Sequence, residues 1–212
     1  MRSRRLSFAL ALWLGCAASV SAAGDDSLAD LSIEQLMSVS VTSVSKREQK
    51  LADVASAITV LSNDELQRLG ATTVADALRF VPGMDVGTIN ASHWAISARG
   101  FNNLYANKLL VLVDGRAIYT PLFAGVYWDL QQMMLIDVDR IEVIRGPGAT
   151  IWGANAVNGV INIVTRSARD SQGSVASVAV GDVHETVSGG RYGGRIGERT
   201  FYRVFGGYRR DA

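Results

Sequence analysis

The alternation of apolar and polar positions changes character twice along this chain. Leu6 to Ala18 is a mostly apolar run with no helical or strand period. Residues 48 to 168 mix short periods of both kinds, which predicts a small α+β domain. Within them, Ala57 to Leu61 reads as a strand. Ser62 with Glu65 three residues on reads as a helix start with a reciprocal cap, and Gly70 as its stop. Thr73 caps a second helix with Val74, Ala77, Leu78 and Val81 on one face, ended by Pro82-Gly83. Ala95 to Arg99 and Leu109 to Val113 read as strands. The second is continuously apolar and belongs inside a sheet. Asp114-Gly115 turns it into a hairpin with Ala117 to Tyr119.

Asp129 to Val138 reads as a helix. Arg140 to Arg145 alternates, with Ile141, Val143 and Arg145 on one side and Glu142 and Ile144 on the other. Gly146-Pro147-Gly148 turns into a short helical stretch, Ala149 to Ala156. Gly159 to Thr165 is a last strand of the domain.

From Gly173 the period becomes two. Ser174 to Val180, Glu185 to Arg195 and Thr200 to Arg210 are long alternating segments, with turns at Gly181-Asp182 and Gly197-Glu198. Val178 and Val180 alternate with Ser177 and Ala179. Tyr202, Val204 and Tyr208 alternate with Arg203 and Arg209. Ten-residue alternation with short turns is the sequence mark of transmembrane β-barrels, which an antiparallel soluble sheet shares.

The start of the chain sharpens this. Arg2, Arg4 and Arg5, the apolar run, and Ser21-Ala22-Ala23 form a secretory leader over residues 1–23. Leu14-Gly15-Cys16 loosely resembles a lipoprotein site, but Trp13 is poorly suited there and the small apolar run continues past it. Without the leader, 18 basic residues face 20 acidic ones, so no net positive charge points to nucleic acid. The single Cys16 excludes a disulfide framework, and only two histidines argue against a multi-His metal centre. After the leader come residues 24–47, an arm. Its stretch Val39 to Ser45 is polar and β-branched, with no partner strand nearby, and reads as exposed and extended.

Five blocks then occur in order. They are Arg99-Gly100-Phe101, Leu112-Val113-Asp114-Gly115, Ile141 to Gly148, Trp152 to Ala156, and Gly159 to Ile163. Together they resemble the plug domain of TonB-dependent outer-membrane receptors. The resemblance covers about residues 39 to 168 and runs on into the first barrel strands. It implies a fold class of α+β, a plug with mixed β-sheet and short helices over residues 48–168. The first antiparallel strands of an incomplete transmembrane β-barrel would follow over residues 169–212. Family members close about 22 strands around the plug. They take up scarce ligands such as siderophores or cobalamin with work relayed by TonB. The implied place is the outer membrane of a Gram-negative bacterium, with no cofactor, no bound metal and no nucleic-acid partner.

The resemblance also assigns candidate residues. Val39, Val41, Thr42 and Val44 are the TonB box, which would add a strand to TonB's sheet edge. Arg99 and Arg145 are the plug-to-barrel lock, partnered by barrel glutamates outside this sequence; Glu142 is a local alternative partner for Arg145. Seven of the 14 aromatic residues outside the leader fall between residues 94 and 128. These, Trp94, Phe101, Tyr105, Tyr119, Phe123, Tyr127 and Trp128, are candidates for stacking on a flat ligand or for packing. Asn102, Asn103, Asn107 and His93 could add polar contacts, though a lone histidine is more often structural.

Other classes fit less well. No nucleophile–base arrangement or G-x-S-x-G element points to an enzyme. A dinucleotide fingerprint at Gly146 fails at Ile151. The arm is too short for a signalling domain of the transducer subclass, which needs roughly 70 to 80 residues. A free periplasmic plug that only binds ligand or TonB is the alternative. On the receptor reading the sequence is the front of a longer protein: a well-formed plug followed by a meander dangling with open edges.

Overall fold

The computed structural model describes residues 40–41, 49–50, 57–90, 93–123, 125–181 and 186–210. Ser40–Val41 (β1) and Gln49–Lys50 (β2) form a two-residue antiparallel ladder. Ala57–Ser62 (β3) leads directly into Asn63–Arg68 (α1). The Ser62 Oγ accepts from Glu65 N at 3.3 Å, and Glu65 Oε2 accepts from Ser62 N at 2.8 Å. This reciprocal cap satisfies two helix-end donors and makes the strand-to-helix switch abrupt. Gly70 follows with φ of +65°, the left-handed stop that the sequence predicts.

Thr73 caps Val74–Ala77 (α2), its Oγ1 accepting from Asp76 N at 3.0 Å, and Leu78–Phe80 tightens into a 3₁₀ turn. The predicted stripe of Val74, Ala77, Leu78 and Val81 is buried throughout. Met84–Thr88 (β4) then pairs with Trp94–Ala98 (β5). The sequence contains β5 among its predicted strands but not β4, whose Asp85 and Gly87 break the apolar signal.

The main sheet is mixed. It comprises β3, Leu109–Val113 (β6), Arg116–Ala117 (β7), Val138–Arg145 (β8) and Gly159–Thr165 (β9), in the order β3-β8-β9-β6-β7. Only β6 and β9 run parallel. Between β8 and β9 lies Ala149–Trp152 (α3). Asp114 and Gly115 both have positive φ, as a two-residue hairpin turn requires. The Asp114 carboxylate accepts from Thr165 N and Oγ1 at 2.8 and 2.9 Å, fastening this turn to the end of β9.

Alternation along these strands feeds two cores. Leu61, Leu109, Val111, Ile141, Val143, Ile161 and Ile163 face one way. They are covered by Leu66, by α2 and by Trp94, Ile96 and Ala98 of the β4–β5 hairpin. Leu110, Leu112, Ile144 and Val160 face the other way, against Ala156 and Trp152. Buried on both faces, β6 lies inside the sheet as its unbroken apolar run predicts.

Residues 129–138 depart from expectation. The predicted helix is replaced by two 3₁₀ turns, Trp128–Leu130 and Leu135–Asp137, separated by irregular chain. Local propensity favours a helix in Asp-Leu-Gln-Gln-Met-Met, but tertiary packing overrides it. The extended course lets Met133 and Leu135 reach the first core while Met134 points to the following strands.

Those strands are Gly173–Ala179 (β10), Thr186–Ile196 (β11) and Thr200–Arg210 (β12), an antiparallel meander. Its registers put Val178, Tyr192, Ile196, Val204 and Tyr208 on one face, each more than half exposed. The opposite face carries Ser177, Gly189 and Gly207 in one cross-strand row, with Arg191 and Arg203 nearby. It also carries Phe201 and Phe205, whose rings lie under Arg169 and Arg203 at 5.1 and 5.5 Å. The meander is not dangling, contrary to expectation. Arg191 Nη1 meets Asp137 Oδ1 at 2.7 Å and Arg203 Nη2 donates to Thr165 Oγ1 at 3.0 Å. Polar groups on the inner face thus find partners on the α+β domain.

Candidate functional site

The loops preceding β6 and β9, and the chain following β7, all lie at one end of the main sheet. The parallel β6 and β9 start there, and β8 ends there. The other end holds the Asp114 turn and the exit from β9 toward β10. The first end collects most of the candidate aromatics.

Tyr105 and Phe123 meet edge to face at 4.9 Å between centroids, and Phe123 and Tyr127 do so at 4.7 Å. Phe123 folds back over Gly125, where any Cβ would overlap its ring. That glycine is what the close approach requires. The Tyr119 hydroxyl donates to the Asn107 carbonyl at 2.8 Å, tying the two loops together. Burial pushes the Tyr119 phenol above its ordinary pKa. Asn103 Oδ1 accepts from Tyr105 N at 2.8 Å and Asn102 Nδ2 donates to Asp85 O at 3.3 Å, so both asparagines shape the loop.

Phe101 stands apart from this ladder and is 73% exposed. Arg99, Gly100 and Phe101 have φ of 58°, 92° and 59°, three consecutive left-handed residues of which two are not glycine. Such a conformation costs on the order of 1–3 kcal/mol per non-glycine residue and persists where the surroundings impose it. Its effect here is to present Phe101 to solvent. Trp94 goes the other way. It is a core residue at 5% exposure, with Arg79 over its ring at 5.2 Å. Trp128 packs on the first core and is half-buried. Tyr105, Phe123 and Tyr127 therefore come together, Tyr119 braces them, and Trp94 and Trp128 serve the core. His93 closes the β4–β5 turn, with its Nδ1 2.9 Å from Asn90 Oδ1.

Arg99 and Arg145 flank the same bend. The Arg99 guanidinium lies beside Gly146, where a Cβ would be 3.6 Å from Nη1. Arg145 Nη1 donates to the Pro82 carbonyl at 2.8 Å. The local Glu142–Arg145 pair is not formed. Residues three apart on a strand face opposite ways, and the wholly buried Glu142 instead accepts from Arg140 Nε at 2.9 Å. It also lies 3.5 Å from Asn162 Nδ2.

At the arm, Val39, Thr42 and Val44 lie outside the described residues. Val41 is fully buried, and β1 pairs with β2 in the register Val41↔Gln49. The expectation of an exposed segment without a partner strand is thus overturned at Ser40–Val41. The partner is a short segment eight residues on, too polar to read as a strand.

The sequence did not reveal Asp137–Arg191. Both side chains are buried, and they are 54 residues apart. The only hint is an arginine amid the glycines of β11. Among the described residues no group of three acidic, histidine or cysteine side chains could hold a metal.

Residues 50–160 match the family described as TonB-dependent Receptor Plug Domain. The vitamin B12 transporter BtuB of Vibrio vulnificus is 36% identical over 143 residues, covering 66% of this chain and 23% of that protein. The structure resembles the ferric yersiniabactin uptake receptor FyuA of Yersinia pestis, with a TM-score of 0.51 and 25% identity. That match covers 71% of this chain and 23% of the other. It also resembles the alcaligin outer-membrane receptor FauA of Bordetella pertussis, with a TM-score of 0.65 and 18% identity. There the match covers 81% and 29% of the two chains. The chain spans about a quarter of the length of these relatives.

Proposed function

Because the chain belongs to the TonB-dependent receptors through the plug domain matched by residues 50–160, we propose that it gates uptake of a scarce small ligand. The proposed ligand is a cobalamin or a metal chelate, and the proposed place is the outer membrane. The observation that carries this is the joining of two surfaces in one chain. A plug fold is followed at once by antiparallel strands with an apolar outer face and an inner face set against the plug. An apolar, alternating outer face suits lipid, and a wide barrel needs a stopper because its lumen holds water.

Turn lengths orient the assembly. Three residues separate β11 from β12 at the β9 exit end, whereas β10 ends and β11 begins at the other, with six residues between them in sequence. Transmembrane barrels have short periplasmic turns and longer outer loops. The Tyr105–Phe123–Tyr127 ladder and Phe101 then face outward, where flat rings stack on a conjugated ligand. Arg99 and Arg145 lock the plug to later parts of the wall as bidentate donors to carboxylates. Val39, Val41, Thr42 and Val44 couple to TonB by strand addition, for which β1 leaves its short pairing with β2.

Uptake by the intact receptor tests the coupling. Val41→Pro removes a backbone donor from the coupling strand. The expected result is lost uptake and lost crosslinking to TonB, with ligand binding and outer-membrane level unchanged. Undiminished crosslinking and uptake would contradict the placement of the coupling segment.

A further inference from the structure

We propose that Asp137 and Arg191, together with Met134 in a glycine notch, form a second anchor that positions the plug on its first wall strands and seals that side. The sealing role rests on the receptor reading above; the docking itself does not.

The anchor has opposite polarity to the lock that the family resemblance implies. Its acid is on the plug and its arginine on the wall. Arg191 Nη1 meets Asp137 Oδ1 at 2.7 Å and reaches the Ile136 carbonyl at 3.4 Å. Asp137 Oδ2 and Arg191 Nε are buried and have no hydrogen-bond partner among the described residues. Each buried charge therefore relies on the other, and removing either leaves its partner uncompensated.

Shape adds to charge. Ser177, Gly189 and Gly207 lie side by side across β10, β11 and β12. The row is a groove without bulk, and Met134 occupies it. A Cβ at Gly189 would overlap Met134 Sδ, and one at Gly207 would stand 3.4 Å from it. Farther along β11, a Cβ at Gly193 would overlap the Ser171 carbonyl. Gly189 and Gly193 of β11 are thus contact positions that let the strand approach the plug closely.

Beside this seat, plug and wall separate around a cavity of about 300 Å³ lined by Gln67, Gln131, Ser177 and Arg209 among others. The Met134 seat and the Asp137–Arg191 pair border this cavity and hold plug and wall together on one side of it. Asp137 immediately precedes β8 and Arg145 ends it. The new anchor and the implied lock bracket the same strand.

The double substitution Met134→Cys/Gly189→Cys reports the seat, because a Cβ at Gly189 would be 3.3 Å from Met134 Cγ, close to disulfide reach. In outer membranes carrying the intact receptor, oxidation is expected to cross-link this pair almost completely. Adding Asp137→Asn or Arg191→Gln should cut the yield several-fold, and Asp137→Glu should retain it. Without the cysteines, the same charge-removing substitutions should raise entry of a bulky antibiotic, vancomycin, several-fold at equal receptor level; Asp137→Glu should not. Cross-linking that is indifferent to Asp137→Asn and Arg191→Gln would overturn the anchor. Cross-linking that depends on the pair, with vancomycin entry unchanged, would overturn the sealing role. If a variant fails to reach the outer membrane, cross-linking of the 212-residue chain in detergent decides the docking. A dependence on the pair there supports the anchor even if the receptor reading fails.

Discussion

The α+β domain and the β10–β12 meander obey opposite rules with the same period-two code. In β8 and β9 the apolar positions other than Val164 point into cores and are buried. In β11 and β12, Tyr192, Ile196, Val204 and Tyr208 point outward, while Arg191 and Arg203 point inward beside Phe201 and Phe205 and the Gly189–Gly207 row. One region is held together by what it buries. The other is suited to a medium that accepts apolar side chains on its outside. Alternation alone therefore reveals a strand, and its partner surface decides which face is inside.

The sharpest break of this comparison is in the plug. Ile161 is fully buried in the central strand of the main sheet. Ile161→Ala is expected to cost about 2–5 kcal/mol of plug stability, measured by denaturant unfolding followed through hydrogen exchange of β8 and β9. Next comes the wall. Val204→Arg should cost roughly 2–4 kcal/mol in a bilayer if the residue sits near mid-depth, read as lost folding efficiency in lipid vesicles. The same substitution should leave plug protection unchanged, and equal tolerance in lipid and water would break the proposed contrast. Within the plug, Ser62→Ala removes the cap between β3 and α1. It should cost about 1 kcal/mol, visible as earlier exchange of α1 amides.

The smallest effect concerns the aromatic end. Tyr119→Phe removes the hydroxyl bond to Asn107 and should cost about 0.5–1.5 kcal/mol, with faster exchange in the two loops. The phenol's folded-state pKa is raised by burial. Its contribution is therefore complete at neutral pH and is lost as pH rises beyond the ordinary tyrosine value of about 10. No loss at pH 7, or an undiminished loss well above pH 10, would contradict the assigned bond.

Much of the plug was legible because its signals are local. Ser62 and Glu65 form the predicted cap, Asp114-Gly115 forms the predicted turn, and Leu109–Val113 is inside the sheet. Residues 129–138 were not legible as irregular chain, because the contacts of Met133, Met134 and Leu135 are long-range. Glu142 finds Arg140 and not Arg145 because residues two apart share a face of β8, while Asp137 finds Arg191 across 54 residues. The clustering of aromatics in sequence did foreshadow the Tyr105–Phe123–Tyr127 ladder. It gave no way to separate these from Trp94, whose burial depends on the β4–β5 hairpin.

The most direct measurement compares neighbours on β12. Nitroxide labels placed singly at Val204 and at Arg203 in the intact receptor, in lipid vesicles, report access to oxygen and to an aqueous nickel chelate. The outward-apolar wall predicts high oxygen and low nickel access at residue 204, and the reduced mobility of a plug-facing site at residue 203. Nickel access exceeding oxygen access at residue 204, or a label as mobile at residue 203 as at residue 204, would contradict a wall with one face toward lipid and the other against the plug.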